Sequence, residues 1–246
     1  MTVASESGRQ QRLYVRPPRV VVFPIEAEVP ESKRHLEIRT ALYAILKHAF
    51  SDRAMIGSDQ FVYWDPTDPT ECLAPDAFVR LGAPDENFDS WKTWERGAPH
   101  VAVEIVSASD ASEAAWAPKL HKYRRLGVTE VVRFDPEHGE LRIWNRTEGD
   151  LVERALGPDE PSECLPLRLF WIVVKDDAGA ILLRLARDAA GTYLLPTPEE
   201  EARRQRDAAL EGRDAALEDR DAALESRDAA LERMRFLEAE LAKRSG

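Results

Sequence analysis

The sequence of 246 residues contains only two cysteines, Cys72 and Cys164, and no Cys-x-x-Cys pair. This scarcity argues against a zinc site built from cysteines and against a disulfide-stapled secreted scaffold. No apolar run approaches the roughly 18 residues that a membrane-spanning helix needs, and the first residues lack the apolar stretch of a secretory signal. We therefore expect a cytoplasmic protein with two free thiols and no membrane partner; one long-range disulfide is the alternative.

Nucleotide-binding and serine-hydrolase motifs are also missing. The chain has no Gly-x-x-x-x-Gly-Lys-Ser/Thr loop and no Gly-x-Gly-x-x-Gly fingerprint, so we expect no nucleotide cofactor. Ser107 does not stand in a Gly-x-Ser-x-Gly elbow, which argues against a nucleophilic serine. We expect Ser107 to cap or hydrogen-bond the end of a strand instead.

Basic residues are fewer than acidic ones: the chain has 34 Lys and Arg residues and 45 Asp and Glu residues, so its net charge is −11. Proteins that coat DNA without sequence preference rely on an excess of basic residues. A DNA enzyme stays compatible, since a local basic patch or a bound metal ion offsets phosphate charge. Residues 1–19 are locally basic, with Arg9, Arg12, Arg16 and Arg19. We predict a flexible arm there, either a solubilising leader or a contact to a phosphate backbone.

The last fifth of the chain is a heptad repeat. From Arg206 the sequence reads RDAALEG, RDAALED, RDAALES and RDAALER, in which Ala, Leu, Glu and Arg are strong helix formers and proline is absent. We predict one long helix over 197–246, opened by Thr197 and Pro198. A coiled-coil seam needs two apolar rows, but here one row is leucine (as at Leu210) and the other is arginine. Two interpretations remain: an oligomerisation arm that forms a homodimeric coiled coil, or a solvated single helix.

The segment 20–196 has the pattern of a mixed α/β domain. We predict strands over 20–25, 55–64, 76–81, 100–107, 130–134 and 141–144, and helices that begin near residue 30 and over 114–126. Residues 101–106 (VAVEIV) are apolar on both faces except for one carboxylate. Such a strand is covered on both sides, which indicates a mixed sheet flanked by helices.

Glu104 in that apolar strand is the most informative residue. Burying an ionised carboxylate costs several kcal/mol unless a cation or hydrogen-bond donors compensate. Glu104 is therefore either one half of an internal salt bridge or a metal ligand, and Asp76 is the natural second acid. Lys119 and Tyr123 share one face of the next helix. Two acids and a lysine around Mg²⁺ are suited to phosphodiester hydrolysis.

Three segments, PDAFVRLG, PHVAVEIVSASD and KLHKYRRLGVTEVVRFDP, resemble the Uma-type restriction endonuclease family of the PD-(D/E)XK nuclease superfamily. The resemblance implies a restriction-endonuclease-like fold over 20–196. It also implies that Asp76, Glu104 and the carbonyl of Ile105 hold Mg²⁺ or Mn²⁺. The superfamily lysine would stand at Val106, and its role is carried here to Lys119. Lys122 is the second choice for that role.

The start of the first helix also resembles related sequences, through Glu31 and His35. The resemblance implies that Glu31 is an outer metal ligand; helix capping is the alternative role. Two functions follow from the sequence. The first is a metal-dependent DNA endonuclease with an Asp/Glu/Lys site, and the second is a catalytically inactive nuclease-fold module that recruits partners through its C-terminal helix.

Overall fold

The computed structural model describes residues 32–107, 111–157, 160–176 and 178–244. The predicted basic arm over 1–19, the predicted strand over 20–25 and the candidate ligand Glu31 lie outside these residues. The helices are α1 (Lys33–Phe50), α2 (Thr93–Arg96), α3 (Glu113–Leu126) and α4 (Pro198–Arg244). Ser32 and Ser112 cap α1 and α3 by accepting backbone N–H bonds through their hydroxyl oxygens.

The strands form a six-stranded mixed sheet and two smaller sheets. The first six strands are β1 (Ala54–Gly57), β2 (Val62–Tyr63), β3 (Cys72–Leu73), β4 (Ala77–Leu81), β5 (Trp91–Lys92) and β6 (Val101–Ile105). The other six are β7 (Glu130–Asp135), β8 (Glu140–Thr147), β9 (Asp150–Arg154), β10 (Glu163–Cys164), β11 (Leu169–Lys175) and β12 (Ile181–Ala186). The main sheet has the order β1-β4-β6-β7-β8-β9, and only its β6–β7 pair is parallel.

Each face of the main sheet carries its own apolar core. On one face, α1 packs with the β10-β11-β12 sheet against alternate residues of β6 and β7 such as Val103 and Val132. On the other face, α3 packs with the β3-β2-β5 sheet through Trp116 and Tyr123. Every residue of β6 is buried, because both layers cover this strand. The strand that carries Glu104 therefore lies at the centre of the molecule.

Near its beginning, the long helix α4 contacts the described part of the domain. Arg184 of β12 pairs with Glu200 at 2.8 Å, and the Thr197 hydroxyl accepts the Glu200 N–H at 3.1 Å. No residue of α4 is buried. Among the described helices, none is long and apolar enough to cross a membrane. Cys72 and Cys164 are free thiols.

The mixed α/β class, the flanking helices and the long C-terminal helix are confirmed. The strand predicted over 55–64 is interrupted at residues 58–61, where Asp59 adopts a left-handed backbone (φ 66°). Strands β3, β5 and β10 and helix α2 were not predicted, since segments of two to four residues are too short to show a hydrophobic period.

Candidate active site

The pairing of β4 with β6 brings the two predicted acids together. The two strands are antiparallel with Ala77 opposite Val103, so the next step of the register places Asp76 opposite Glu104. Both residues are buried. The charge of Asp76 also helps to raise the pKa of Glu104. The sheet thus joins two acids that are 28 residues apart in the sequence.

Both carboxylate oxygens of Asp76 are held by neighbouring elements. Oδ2 accepts the backbone N–H of Ile105 at 2.7 Å, and Oδ1 lies 2.7 Å from Nε2 of His35 on α1. The Asp76 carbonyl accepts the Ser58 hydroxyl at 2.8 Å. Asp76 therefore connects β4, β6 and the first turns of α1, and its side chain has a fixed direction.

Glu104 receives its partners from α3. The ammonium nitrogen of Lys119 lies 2.7 Å from Oε2 of Glu104, and the Tyr123 hydroxyl donates to Oε1. Lys119 and Tyr123 are four residues apart, so both point from one face of the helix onto the strand. Burial is the main reason that the pKa of Glu104 is raised to about 7, against the opposing attraction of Lys119.

The donor set fits a hard divalent cation in its chemistry. The two carboxylates and the carbonyl of Ile105, the residue that follows Glu104, are oxygen ligands of the kind that Mg²⁺ and Mn²⁺ take. The raised pKa of Glu104 is the expected behaviour of a buried acid whose burial is not fully compensated by the charge of Lys119. Within the described ranges, no group of three or more His, Cys, Asp or Glu side chains is placed to hold a metal ion. Among the described side chains, Asp76 and Glu104 are the two acids of this site, and the candidate ligand Glu31 lies outside the described residues.

The model of the Uma2 family, described as "Putative restriction endonuclease", matches residues 24–175, which is more than half of the chain. The chain belongs to the Uma2 family. The match includes Asp76, Glu104 and Lys119 together with the whole main sheet.

The comparison with solved structures gives a weaker match. A crystal structure of a putative nuclease belonging to DUF820 from Anabaena variabilis ATCC 29413 matches with 15% sequence identity and a TM-score of 0.39. That match covers 66% of this chain and 79% of the Anabaena chain. No curated protein matches the sequence.

The remaining predicted residues of this Uma2 chain lie at different distances from the two acids. Lys122, the second choice for the lysine role, points to the β3 side and donates to the Cys72 carbonyl at 3.3 Å. His35 contacts Asp76 directly. Ser107 is half-buried and follows β6 by two residues, and Glu31 lies outside the described residues.

Sequence reasoning missed two charged residues of β7. Arg133 is paired in register with Glu104, so it lies beside the candidate site on the α3 face of the sheet. Glu130 is fully buried and accepts hydrogen bonds from Asn145, Trp171 and the Leu165 N–H. The signal was present, because both are charged residues in an apolar strand, as Glu104 is.

Proposed function

We propose that this Uma2 protein is a metal-dependent DNA endonuclease that hydrolyses phosphodiester bonds at the Asp76–Glu104 site. The observation that supports the proposal is the convergence of two acids from paired strands with the ammonium of Lys119, 2.7 Å from Glu104. Family membership supports nuclease chemistry, and a hard divalent ion is the cofactor that the oxygen ligands favour.

Each residue has a definite task in this proposal. Asp76 and Glu104, with the carbonyl of Ile105, would hold Mg²⁺ or Mn²⁺. When bound, such an ion lowers the pKa of a water ligand and offsets charge on phosphate oxygens. Lys119 binds a phosphate oxygen or orients the attacking water from the α3 side. Tyr123 keeps the Glu104 carboxylate in its orientation by donating to Oε1.

Hydrolysis adds water across a phosphorus–oxygen bond. The attacking water loses one proton, and the leaving oxygen gains one. Lys119, one-quarter exposed, reaches from the buried acid to solvent, so its ammonium stands where a phosphate can approach. Asp76 is held by His35 and by the Ile105 N–H, which limits its side-chain entropy loss when a ligand binds.

The second candidate function is an inactive nuclease-fold module that recruits partners through α4. It is favoured by the internal partners of the acids, because His35, Lys119 and Tyr123 already compensate Asp76 and Glu104. Val106 at the superfamily lysine position supports the same alternative. A homodimer through α4 is compatible with either function, since eight large apolar side chains of this helix are exposed.

Plasmid nicking in Mn²⁺ distinguishes the two functions. The wild type is compared with Glu104→Gln, Lys119→Ala and the matched control Lys122→Ala, which removes a lysine that points away from the site. The endonuclease proposal expects nicking by the wild type and by Lys122→Ala, a loss of at least 100-fold in Glu104→Gln and a loss of 10-fold or more in Lys119→Ala. Equal nicking by the wild type and Glu104→Gln would refute this site.

A further inference from the structure

A row of charged side chains crosses the α3 face of the main sheet beside the two acids. Glu104 of β6 is paired in register with Arg133 of β7, and Arg133 is paired with Arg142 of β8. Side chains at paired positions of neighbouring strands lie on the same face, and strands are about 4.8 Å apart. Arg142 is therefore about 10 Å from Glu104, with Arg133 between them.

Both guanidinium groups converge on one exposed carboxylate. Oε1 of Glu113, in the first turn of α3, accepts a hydrogen bond from Arg133 Nη1 at 3.2 Å and another from Arg142 Nη1. The Glu113 side chain is 66% exposed, whereas the Arg133 side chain is 7% exposed beneath it. A carboxylate with so much solvent contact can swing away at little desolvation cost.

Arg133 and Arg142 are also held by other contacts on the same face of the sheet, which keep their N–H groups in place. Arg133 donates to the Ala111 carbonyl at 2.9 Å and lies over the Trp116 ring at 5.4 Å. Arg142 forms two hydrogen bonds to Glu153, at 2.7 and 2.9 Å, and lies 4.9 Å from the Trp144 ring. Their Nη1 groups remain directed at a single anionic oxygen, as in arginine sites for phosphate.

We infer that Arg133 and Arg142 bind a DNA backbone phosphate near the one that is cleaved, and that the Glu113 carboxylate occupies this position in the free protein. The inference rests on the proposed function, since it assigns a second contact to the same substrate. About 10 Å corresponds to about three nucleotides of rise along one DNA strand, so Arg142 is within reach of a neighbouring phosphate. The α3 N-terminus favours an anion at the same point.

DNA binding without cleavage tests the inference on the full chain. Fluorescence anisotropy with a fluorescein-labelled 20-base-pair duplex in EDTA gives Kd at several salt concentrations. We expect Arg142→Gln to raise Kd about tenfold and to reduce the salt slope by about 1, because one phosphate contact is lost. We expect Glu113→Gln to lower Kd several-fold, because the competing carboxylate is gone.

Two control variants carry the same charge changes elsewhere. The first is Arg187→Gln; Arg187 follows β12, in the layer that packs on the α1 face of the main sheet. The second is Glu148→Gln; Glu148 lies in the turn between β8 and β9, at the opposite end of β8 from Arg142. Both should leave Kd within about twofold of the wild type after the same net charge change. If Glu113 only neutralises Arg133, then Glu113→Gln lowers thermal stability and does not tighten binding.

The outcomes separate this inference from the proposed function. Unchanged Kd in both Arg142→Gln and Glu113→Gln, with Glu104-dependent nicking intact, overturns the inference alone. A wild type that binds no DNA at 50 mM salt overturns the inference and the DNA substrate together. Should Arg142→Gln fail to fold by circular dichroism, the sign of the Glu113→Gln change decides the matter, because only phosphate competition predicts tighter binding.

Discussion

Glu104 is a carboxylate on a fully buried strand, and its neighbours decide which chemistry it can perform. Lys119 and Tyr123 contact one oxygen each, yet burial still raises the pKa of Glu104 to about 7. A buried charge with incomplete compensation is typical of a functional site, because a purely structural ion pair gains little stability over apolar residues. The proposed function therefore depends on Lys119 and Tyr123, which donate to the Glu104 carboxylate.

Replacing Tyr123 by phenylalanine removes one of these donors without changing the ring. Oε1 of Glu104 then loses a hydrogen bond inside the core, so the free energy of unfolding should fall by about 1–3 kcal/mol. Urea unfolding followed by circular dichroism measures the change. Tyr193→Phe is the control, since Tyr193 is exposed, and it should change stability by less than about 0.5 kcal/mol. Equal stability of Tyr123→Phe and the wild type would show that the hydrogen bond to Glu104 is unimportant.

His100 links the two strands that carry the acids and provides a pH prediction. Its Nδ1 accepts the Leu81 N–H at 3.1 Å, and burial, followed by the charge of Arg80, lowers the pKa of His100. Below about pH 6.5 the unfolded imidazole binds a proton that the folded one does not, so stability falls as the pH decreases. His100→Asn keeps an acceptor in the same place and should lose less stability than the wild type between pH 7 and pH 5.

Urea unfolding at pH 7, 6 and 5 measures this difference. His138→Asn serves as a control of opposite sign. The hydrogen bond that the His138 ring donates to the Asp135 carboxylate raises the pKa of His138, so this imidazole favours the folded state below about pH 6.5 and loses its contribution as the pH rises. Parallel pH curves for His100→Asn and the wild type would contradict a half-buried His100 that the fold keeps neutral.

At the scale of elements, the site depends on how closely β1, β4 and β6 approach each other. Gly57 of β1 pairs with Phe78 of β4, and a Cβ on Gly57 would lie 2.2 Å from the Phe78 ring. The Phe78 ring occupies the space into which the side chain of any residue other than glycine at position 57 would extend. The edge of the sheet next to the Asp76 strand is therefore packed without room for a larger side chain.

Gly57→Ala should consequently destabilise the protein by about 1–3 kcal/mol, because the Phe78 ring must move. Gly212→Ala is the matched glycine control, since Gly212 lies in α4 with no atom within 4 Å of the added Cβ. It should stabilise the helix by up to about 1 kcal/mol. Thermal unfolding of the two variants measures both changes in stability. Equal stability of Gly57→Ala and the wild type would contradict the packing of β1 on β4.

The sequence was sufficient to predict the elements that have a long hydrophobic period. Helix α3 and strands β4, β6 and β7 were predicted to within one or two residues, and so was the start of α4. Asp76 and Glu104 were paired because acids in apolar strands need a partner. The place of Arg133 was not predicted, because it follows from the parallel register of β6 and β7, which local patterns do not encode.

At the scale of the whole molecule, α4 is a rod of 47 residues whose side chains are exposed from residue 202 onward. At about 1.5 Å per residue it is about 70 Å long. Its exposed apolar side chains are Leu210, Leu217, Leu224, Leu231, Met234, Phe236, Leu237 and Leu241. So much exposed apolar surface on one element is typical of an interaction surface. We propose a second copy of the chain as the partner, and a solvated single helix is the alternative.

Replacing Leu217 and Leu224 by asparagine in the full chain tests this partner. We expect a dimer mass for the wild type in multi-angle light scattering and a shift toward the monomer mass in the double variant, because two central leucines of the seam become polar. Ala215→Asn with Ala222→Asn changes a different face of α4 and should keep the dimer. A monomeric wild type at about 100 μM would favour the solvated single helix.

The central claim is that Asp76 and Glu104 together hold one divalent ion. Electron paramagnetic resonance of free Mn²⁺ during titration counts the bound ions directly, without relying on nuclease activity. We expect one Mn²⁺ site in the wild type and in Lys122→Ala, and its loss in both Asp76→Asn and Glu104→Gln. Binding of Mn²⁺ that is equally tight in the wild type and in Glu104→Gln would contradict it.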